Sequence, residues 1–348
     1  MVGRGTVRQV WSGLAWIGRA WHSMAWKGIN YDALFLSLFC FGTIDQRRHV
    51  YYTWCMTLTD MFRRFPTEEH CIAYLEKIRW PKGKPVCPYC GHECTPNKRK
   101  DGRYNCGSCH RAFRATVKTL FHKSHHPLQK WFLLIVLMLN GKKGVSESQL
   151  ARDIGVPQPT VWLMCHKIRK AMQADQGELL QGIVEIDEFY SGGKPRKGNG
   201  GGNGKSKRGR GTAKVPVFGA IERGGDVRAR VAQNVTKESI REFIKEYVDE
   251  GALIYSDSYR SYHGITDKQV DHNRNFVDEE GVHTNNVESF WAIVKRGIFG
   301  QFHSVKKKYL NLYLSEFCYR FNRRKVDCVF DETVAWLVAT PNIGKSLV

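Results

Sequence analysis

The sequence predicts an α/β protein in which a small metal-stapled module and a helical segment precede a mixed sheet. Three observations carry this. Two Cys-x-x-Cys pairs, Cys87/Cys90 and Cys106/Cys109, stand 15 residues apart. A helix-turn-helix pattern follows in VSESQLARDIGVPQPTVWLMCHKIRKAM. After residue 180, short apolar strands and amphipathic helices follow in the order β-β-β-α-β…α. The chain has 348 residues, enough for two or three domains. Its 54 Lys and Arg outnumber 33 Asp and Glu, a net charge of +21. That surplus calls for a polyanionic partner, nucleic acid ahead of an anionic membrane, and argues against a metabolic enzyme for small neutral substrates. Eleven cysteines, an odd count, fit a reducing compartment better than a closed disulfide framework. No run reaches the ~18 uncharged apolar residues of a membrane span, and no secretory signal is legible.

Residues 1–55 differ from the rest. Trp11, Trp16, Trp21 and Trp26 recur every five residues. That step rotates about 140° per repeat on a helix and alternates faces on a strand, so it matches no packing period. The expectation is that Met56 is the natural start and that 1–55 is read-through or a dispensable extension. The competing reading is a membrane-surface anchor.

The two Cys-x-x-Cys pairs read as a zinc ribbon. Each forms a knuckle that aims two thiolates at one point, and two knuckles complete a tetrahedral four-sulfur site with a structural role. Gly91 and Gly107 are expected to supply the turns. Cys94, His92 and His110 are expected bystanders. Basic residues on the ribbon fit either a DNA-backbone contact or a solvated face.

LQKWFLLIVLMLNG reads as a buried helix ended at Gly141. In the helix-turn-helix that follows, Ser146 caps the first helix, Ala151 packs between helices, Gly155 makes the turn, and Val161 anchors a second helix that begins near Pro159. The face expected toward DNA carries Gln158, Thr160, Trp162, His166 and Arg169. A plain helical hairpin is the alternative.

The chemistry lies further on. GIVEIDEFY reads as a buried strand; Asp187 within it is costly unless it meets a metal or a partner. Glu185 shares its face, and Glu188 points the other way. Residues 191–214 hold nine glycines, eight Lys or Arg and no acid, a flexible cationic loop that either grips phosphates or merely links. VPVFGAIERG and DVRARVAQNV form a hairpin. A helix capped by Thr236 and ended at Gly251 follows. Asp257 sits near the end of the next strand, where ligands bind in open α/β sheets. The last motif, HTNNVESFWAIVKRG, reads as a helix capped by Asn285 or Asn286, with Glu288 in its first turn and Lys295 on the same face. YLNLYLSEFCYRFNRRK reads as a covering helix whose Arg320, Arg323 and Arg324 face DNA or solvent. Asp187, Asp257 and Glu288 converging on two Mg²⁺ ions would suit phosphoryl transfer, with Mn²⁺ as a substitute. The element order is that of a ribonuclease-H-like fold.

From Met56 on, the chain resembles the bacterial insertion-sequence transposases of the ISXO-like group, which carry a zinc ribbon ahead of a ribonuclease-H-like DDE/N core. The motifs are CPYC…CGSC, VEIDEFYSGG, VPVFGAIERGG, IYSDSY, HTNNVESFWAIVKRG and SEFCYRFNRR. The resemblance implies Asp187, Asp257 and Glu288 as the catalytic triad. It implies Mg²⁺-dependent cleavage and strand transfer at insertion-sequence ends, with a structural Zn²⁺ on Cys87, Cys90, Cys106 and Cys109. Candidate DNA contacts are Lys295, Arg296, Lys197, Lys207, Arg208, Arg210 and Arg323. Expected partners are terminal inverted repeats and target DNA, bound by a homodimer or larger assembly in the bacterial cytoplasm with the nucleoid, away from membrane. The expected division is 1–55 extension, 56–118 helix plus ribbon, 119–178 helix-turn-helix segment, 179–325 catalytic domain and 326–348 tail. The alternatives are a transposase-derived DNA-binding regulator and a ribonuclease-H-like nuclease that cuts without joining.

Overall fold

The computed structural model describes residues 56–175, 177–192, 214–257, 260–270 and 283–341. The tryptophan repeat within 1–55 and the cationic loop with Lys197, Lys207, Arg208 and Arg210 lie outside the described residues. Every element named below belongs to one compact unit.

Two helices open it, α1 (Leu58–Arg64) and α2 (Glu68–Arg79). The first is capped by Thr57, whose hydroxyl oxygen accepts from the Asp60 amide. A two-stranded hairpin, β1 (Tyr104–Asn105) and β2 (Ala112–Phe113), builds the ribbon. Its small core stacks Tyr104 on Phe113 with Trp80 edge-on to both. The apolar helix α3 (Leu128–Asn140) is buried as expected and ends at Gly141. Glu68 of α2 accepts from the Leu128 and Gln129 amides at its start.

The helix-turn-helix forms from α4 (Glu147–Ile154) and α5 (Gln158–Ala174). Ser146 caps α4 by accepting from the Gln149 amide, and Gly155 takes the left-handed turn conformation at φ 62°. Val161 is fully buried. The expected DNA face needs correction. His166 and Arg169 are fully buried, because Arg169 donates to Glu147 (2.7 Å) and Glu316 (2.6 Å) and lies over the Tyr313 ring at 3.8 Å. Trp162 stacks on His166 with ring centroids 3.9 Å apart. Gln158 and Thr160 keep solvent contact at the start of α5.

The sheet has the order β5-β4-β3-β6-β7. Its strands are β3 (Ile183–Ser191), β4 (Val215–Glu222), β5 (Val227–Val231), β6 (Leu253–Asp257) and β7 (Lys268–Val270). The β3–β4 and β4–β5 pairs are antiparallel, and β3–β6 and β6–β7 are parallel. An antiparallel three-strand meander that continues into parallel strands is the ribonuclease-H-like arrangement. Alternation splits β3 between two cores. Val184 and Ile186 face α6 (Lys237–Tyr247), with Ile240 and Phe243. Phe189, two residues beyond Asp187 on the other face, meets α7 (Asn285–Gly300) and α8 (Lys307–Asn322) through Trp291, Phe290 and Phe317.

Three boundaries differ from expectation. Helix α6 stops at Tyr247 rather than at Gly251, because Leu180 pairs with the next turn: its amide donates to Tyr247 O, and Asp249 donates back to Leu180 O. The cap residue of α7 is Thr284 rather than Asn285 or Asn286. Residues 326–348 hold a helix, α9 (Val329–Ala339), rather than only a tail. Its Phe330 packs among Phe65, Tyr74 and Phe132, and its Asp331 takes both guanidinium nitrogens of Arg64. The three C-terminal arginines are likewise corrected. Arg323 is turned inward to Asp175 and Glu332, Arg320 to Glu316, and Arg324 lies over Phe321 at 4.0 Å.

Gly219 of β4 sits opposite Asp187 in the ladder, and a Cβ there would lie 2.3 Å from the Trp291 ring. The bare strand lets α7 seat against the sheet beside Asp187. Gly219→Ala is expected to lower stability by roughly 1–3 kcal/mol in thermal melts. Combining it with Trp291→Phe should cost less than the two single changes added together; strict additivity would show that the close approach is not the cause.

Candidate active site

The site is built on β3, the central strand, whose acids are Glu185, Asp187 and Glu188. Ile186 pairs in parallel register with Ser256, so Asp187 and Asp257 are the next residues on neighbouring strands. Such strands run about 4.8 Å apart and in-register side chains share a face. Glu288 stands in the first turn of α7, which packs on that same face. The three residues expected to act together are therefore brought to one end of one sheet face.

Electrostatics show the convergence. Burial pushes the Asp187 carboxyl up to about 8, and the charges of Glu188, Asp257 and Glu288 push it the same way. A bond from the Glu188 amide to Asp187 Oδ1 (2.8 Å) works against this and is overcome. A carboxyl that several neighbouring carboxylates keep protonated is a site that favours a cation. All its donors are hard oxygens, which suit Mg²⁺ or Mn²⁺. Among the described residues only the four ribbon cysteines bring three or more ligand atoms within 4.8 Å of one another. The three acids thus meet at a wider spacing.

Around them lie further groups, of which the sequence had marked Glu185 but not Arg223 or Tyr262. Glu185 is 0% exposed. Its Oε2 accepts from the amides of Asn286 (2.9 Å) and Val287 (3.3 Å). Its Oε1 accepts from Arg223 Nε (2.9 Å) and Asn286 Nδ2 (2.8 Å), with His283 Nδ1 at 3.2 Å. Arg223 also donates to His283 O. On the opposite face, the buried Tyr262 hydroxyl donates to Glu188 Oε2 at 2.8 Å. The signal for Glu185 was its spacing of two from Asp187. Arg223 and Tyr262 come from the hairpin and from the turn after β6, and no local pattern marks them. Lys295 and Arg296 are exposed on α7; Lys295 Nζ sits 5.6 Å over the Phe189 ring.

The ribbon is a second, separate ligand set. Cys87, Cys90, Cys106 and Cys109 bring their sulfurs within 4.8 Å of one another, a set that fits a tetrahedral Zn²⁺. The Cys109 amide donates to Cys106 Sγ at 3.4 Å and pulls that thiol down to about 6, toward the thiolate a metal needs. Gly91 makes the first knuckle's left-handed turn at φ 77°. In the second knuckle that place is taken by His110 at φ 56°, not by Gly107 as expected.

A ribonuclease-H-like sheet with three acids at one end of one face, behind a four-cysteine ribbon and a helix-turn-helix, defines the architecture of a DNA transposase. Residues 179–322 match the ISXO2-like transposase domain, and residues 66–112 match the transposase zinc-ribbon domain. An uncharacterised protein in transposable element ISH50 of Halobacterium salinarum is 31% identical over 272 residues, spanning 73% of this chain and 91% of that protein. An uncharacterised transposase-like protein of Haemophilus influenzae is 27% identical over 101 residues, 28% of this chain and 80% of its own length. The chain belongs to the ISXO2-like transposase family. Among solved structures, the mariner Mos1 paired end complex with Mg is 12% identical, covers 61% of this chain and 81% of its own, and has a TM-score of 0.21, an overlap too slight to inform the site. No helix among the described residues is long and apolar enough to cross a membrane.

Two outcomes follow. With the folded Asp187 carboxyl pushed up to about 8 and the unfolded one at its ordinary value of about 3.9, folding should take up a proton between those values and stability should fall as pH rises from 4 to 8. Asp187→Asn removes that slope. In magnesium-free buffer it should be more stable than wild type by about 1–3 kcal/mol at pH 8, and by less at pH 4, the figure being discounted because the side chain keeps some solvent contact. Equal pH slopes in chemical denaturation would contradict the raised Asp187 carboxyl. For the ribbon, elemental analysis should find one zinc per chain, lost with a drop in melting temperature in Cys106→Ser.

Proposed function

We propose that the chain is a DDE-type transposase that cleaves DNA at the ends of an insertion sequence and joins those ends to target DNA. The observation that carries this reading is the register that sets Asp187 beside Asp257 on one sheet face, with Glu288 in the first turn of the helix packed on that face. These three residues would hold Mg²⁺, with Mn²⁺ as a substitute. A bound ion pair supplies activation of water or a DNA 3′-hydroxyl and stabilisation of the leaving oxygen.

The chain's own residues do the rest. Burial and neighbouring carboxylates push the Asp187 carboxyl upward, and a cation beside it would favour its charged, ligating form. Asp257 and Glu288 bound the position of the scissile phosphate from the adjacent strand and from the helix above. Lys295 and Arg296, exposed on the same helix, offer cations to the flanking phosphates. Lys197, Lys207, Arg208 and Arg210 of the cationic loop are proposed to grip backbone further along. The exposed start of α5, with Gln158 and Thr160, is the part of the helix-turn-helix left to meet a groove. The partners proposed are terminal inverted repeats and target DNA, bound by a homodimer or larger assembly on paired ends in the bacterial cytoplasm. The ribbon's Zn²⁺ has a structural role.

The test uses full-length protein, Mg²⁺ and DNA carrying the inverted repeats that flank its gene. Wild type should yield cleaved ends and joined products. Asp187→Asn, Asp257→Asn and Glu288→Gln should each lose at least about 10³-fold in rate while retaining DNA affinity in a gel-shift assay. Cleavage without joining would favour a nuclease, binding alone a regulator, and an Asp187→Asn protein that cuts normally would remove this site assignment.

A further inference from the structure

We propose that the two acids flanking Asp187 on β3, Glu185 and Glu188, are positioning residues that hold Glu288 and Asp257 in place against it. The inference rests on the reading of Asp187, Asp257 and Glu288 as the metal-binding acids and extends it to groups that touch neither metal nor DNA.

Glu185 does for α7 what a local cap usually does. Thr284, the residue before the helix, makes no side-chain cap bond. The open amides of Asn286 and Val287 are met instead by Glu185 Oε2, from a different strand. A carboxylate at a helix N-terminus also complements the helix dipole. Asp187 stands two residues beyond Glu185 on the same strand face, and Glu288 stands two residues beyond Asn286. One capping carboxylate therefore sets the offset between two acids that are 101 positions apart in sequence. Arg223 and Asn286 Nδ2 fix the other oxygen, so the carboxylate cannot swing.

Glu188 makes the matching connection on the opposite face. It accepts from Tyr262, which is 0% exposed and lies in the 3₁₀ turn Arg260–Tyr262 that follows β6. That turn begins three residues after Asp257. The bond ties the chain leaving Asp257 back to β3 beside Asp187. A buried pair such as Glu185 with Arg223 adds little net stability over apolar groups, which speaks for a geometric role. The strand's Glu-x-Asp-Glu run thus reads as one ligand between two struts.

The experiment titrates Mn²⁺ by electron paramagnetic resonance onto the full-length, zinc-loaded chain, with Asp187→Asn as the control that removes the site. Glu185→Gln, Asn286→Ala and Tyr262→Phe are compared with wild type, alongside melting temperature, DNA affinity and cleavage at varied Mn²⁺. The expected result is a binding midpoint raised about tenfold in Glu185→Gln and severalfold in the two gentler variants. Cleavage should need correspondingly more Mn²⁺ and recover toward the wild-type rate at saturation, with DNA affinity unchanged. Folded variants that keep the wild-type midpoint would overturn the proposal, whatever their melting temperature. Should Glu185→Gln fail to fold, Asn286→Ala and Tyr262→Phe decide alone. A wild type that shows no Asp187-dependent Mn²⁺ signal would instead overturn the functional reading itself, so the two failures are separable.

Discussion

The architecture turns on the electrostatics of one strand. Strand β3 runs through the middle of the sheet, paired on both sides and covered on both faces, yet three of its nine residues are acids. Each has been given a different answer to the same desolvation problem. Glu185 is fully buried and is met by amide and guanidinium donors. Glu188 is half-buried and is met by a tyrosine hydroxyl. Asp187 is the one whose surroundings make its charge harder to bear, with burial and three neighbouring carboxylates acting in the same direction. On the proposed reading, the first two hold their surroundings in place around the third, and the third takes the metal.

Much of this was legible in the sequence. Two Cys-x-x-Cys pairs predict four converging sulfurs because each knuckle is a local structure, and the structure finds all four. Thr236, Ser146 and Gly155 were readable as helix punctuation for the same reason: a cap or a left-handed turn is decided within a few residues. The strand alternation around Asp187 was readable because period two separates faces without knowledge of the partner strand. What was not readable is long-range. Gly251 has the look of a helix end, but the helix ends earlier because Leu180 pairs across it. Asn285 and Asn286 are good capping residues, but the capping oxygen comes from Glu185.

Charge was the most misleading signal. A surplus of +21 invites every arginine to be read as a DNA contact, and His166, Arg169, Arg320 and Arg323 are all turned inward. The reason is that guanidinium groups also serve as joints between segments. Arg169 of the recognition-type helix reaches Glu316 of α8 and Glu147 of α4, and Tyr313 stacks under it. Arg323 bridges Asp175 at the end of α5 to Glu332 of α9. Removing one member of such a buried set leaves an unpaired charge, at about 3–5 kcal/mol. In sequence a solvated cation and a buried joint look alike, and the acids that meet Arg169 and Arg323 include Glu316 and Asp175, each more than a hundred residues away.

These joints have a consequence for how the two ends of the molecule communicate. The helix that would present Gln158 and Thr160 to a groove continues without interruption to Arg169, and Arg169 is bonded to α8. Helix α8 packs on β5 and against α7 through Phe317, whose ring fills the space left by Gly297. Helix α7 in turn starts at the Glu185 cap and carries Glu288. A continuous series of packed helices therefore runs from the start of α5 to the acidic face. Packed interiors respond to a push by shifting between discrete arrangements rather than by bending smoothly. At one end of that path lie the bonds of Glu185 to the start of α7 and of Glu188 to Tyr262. On the proposed reading, the residues that would meet DNA and the acids that would hold metal are linked by packed side chains that belong to neither site.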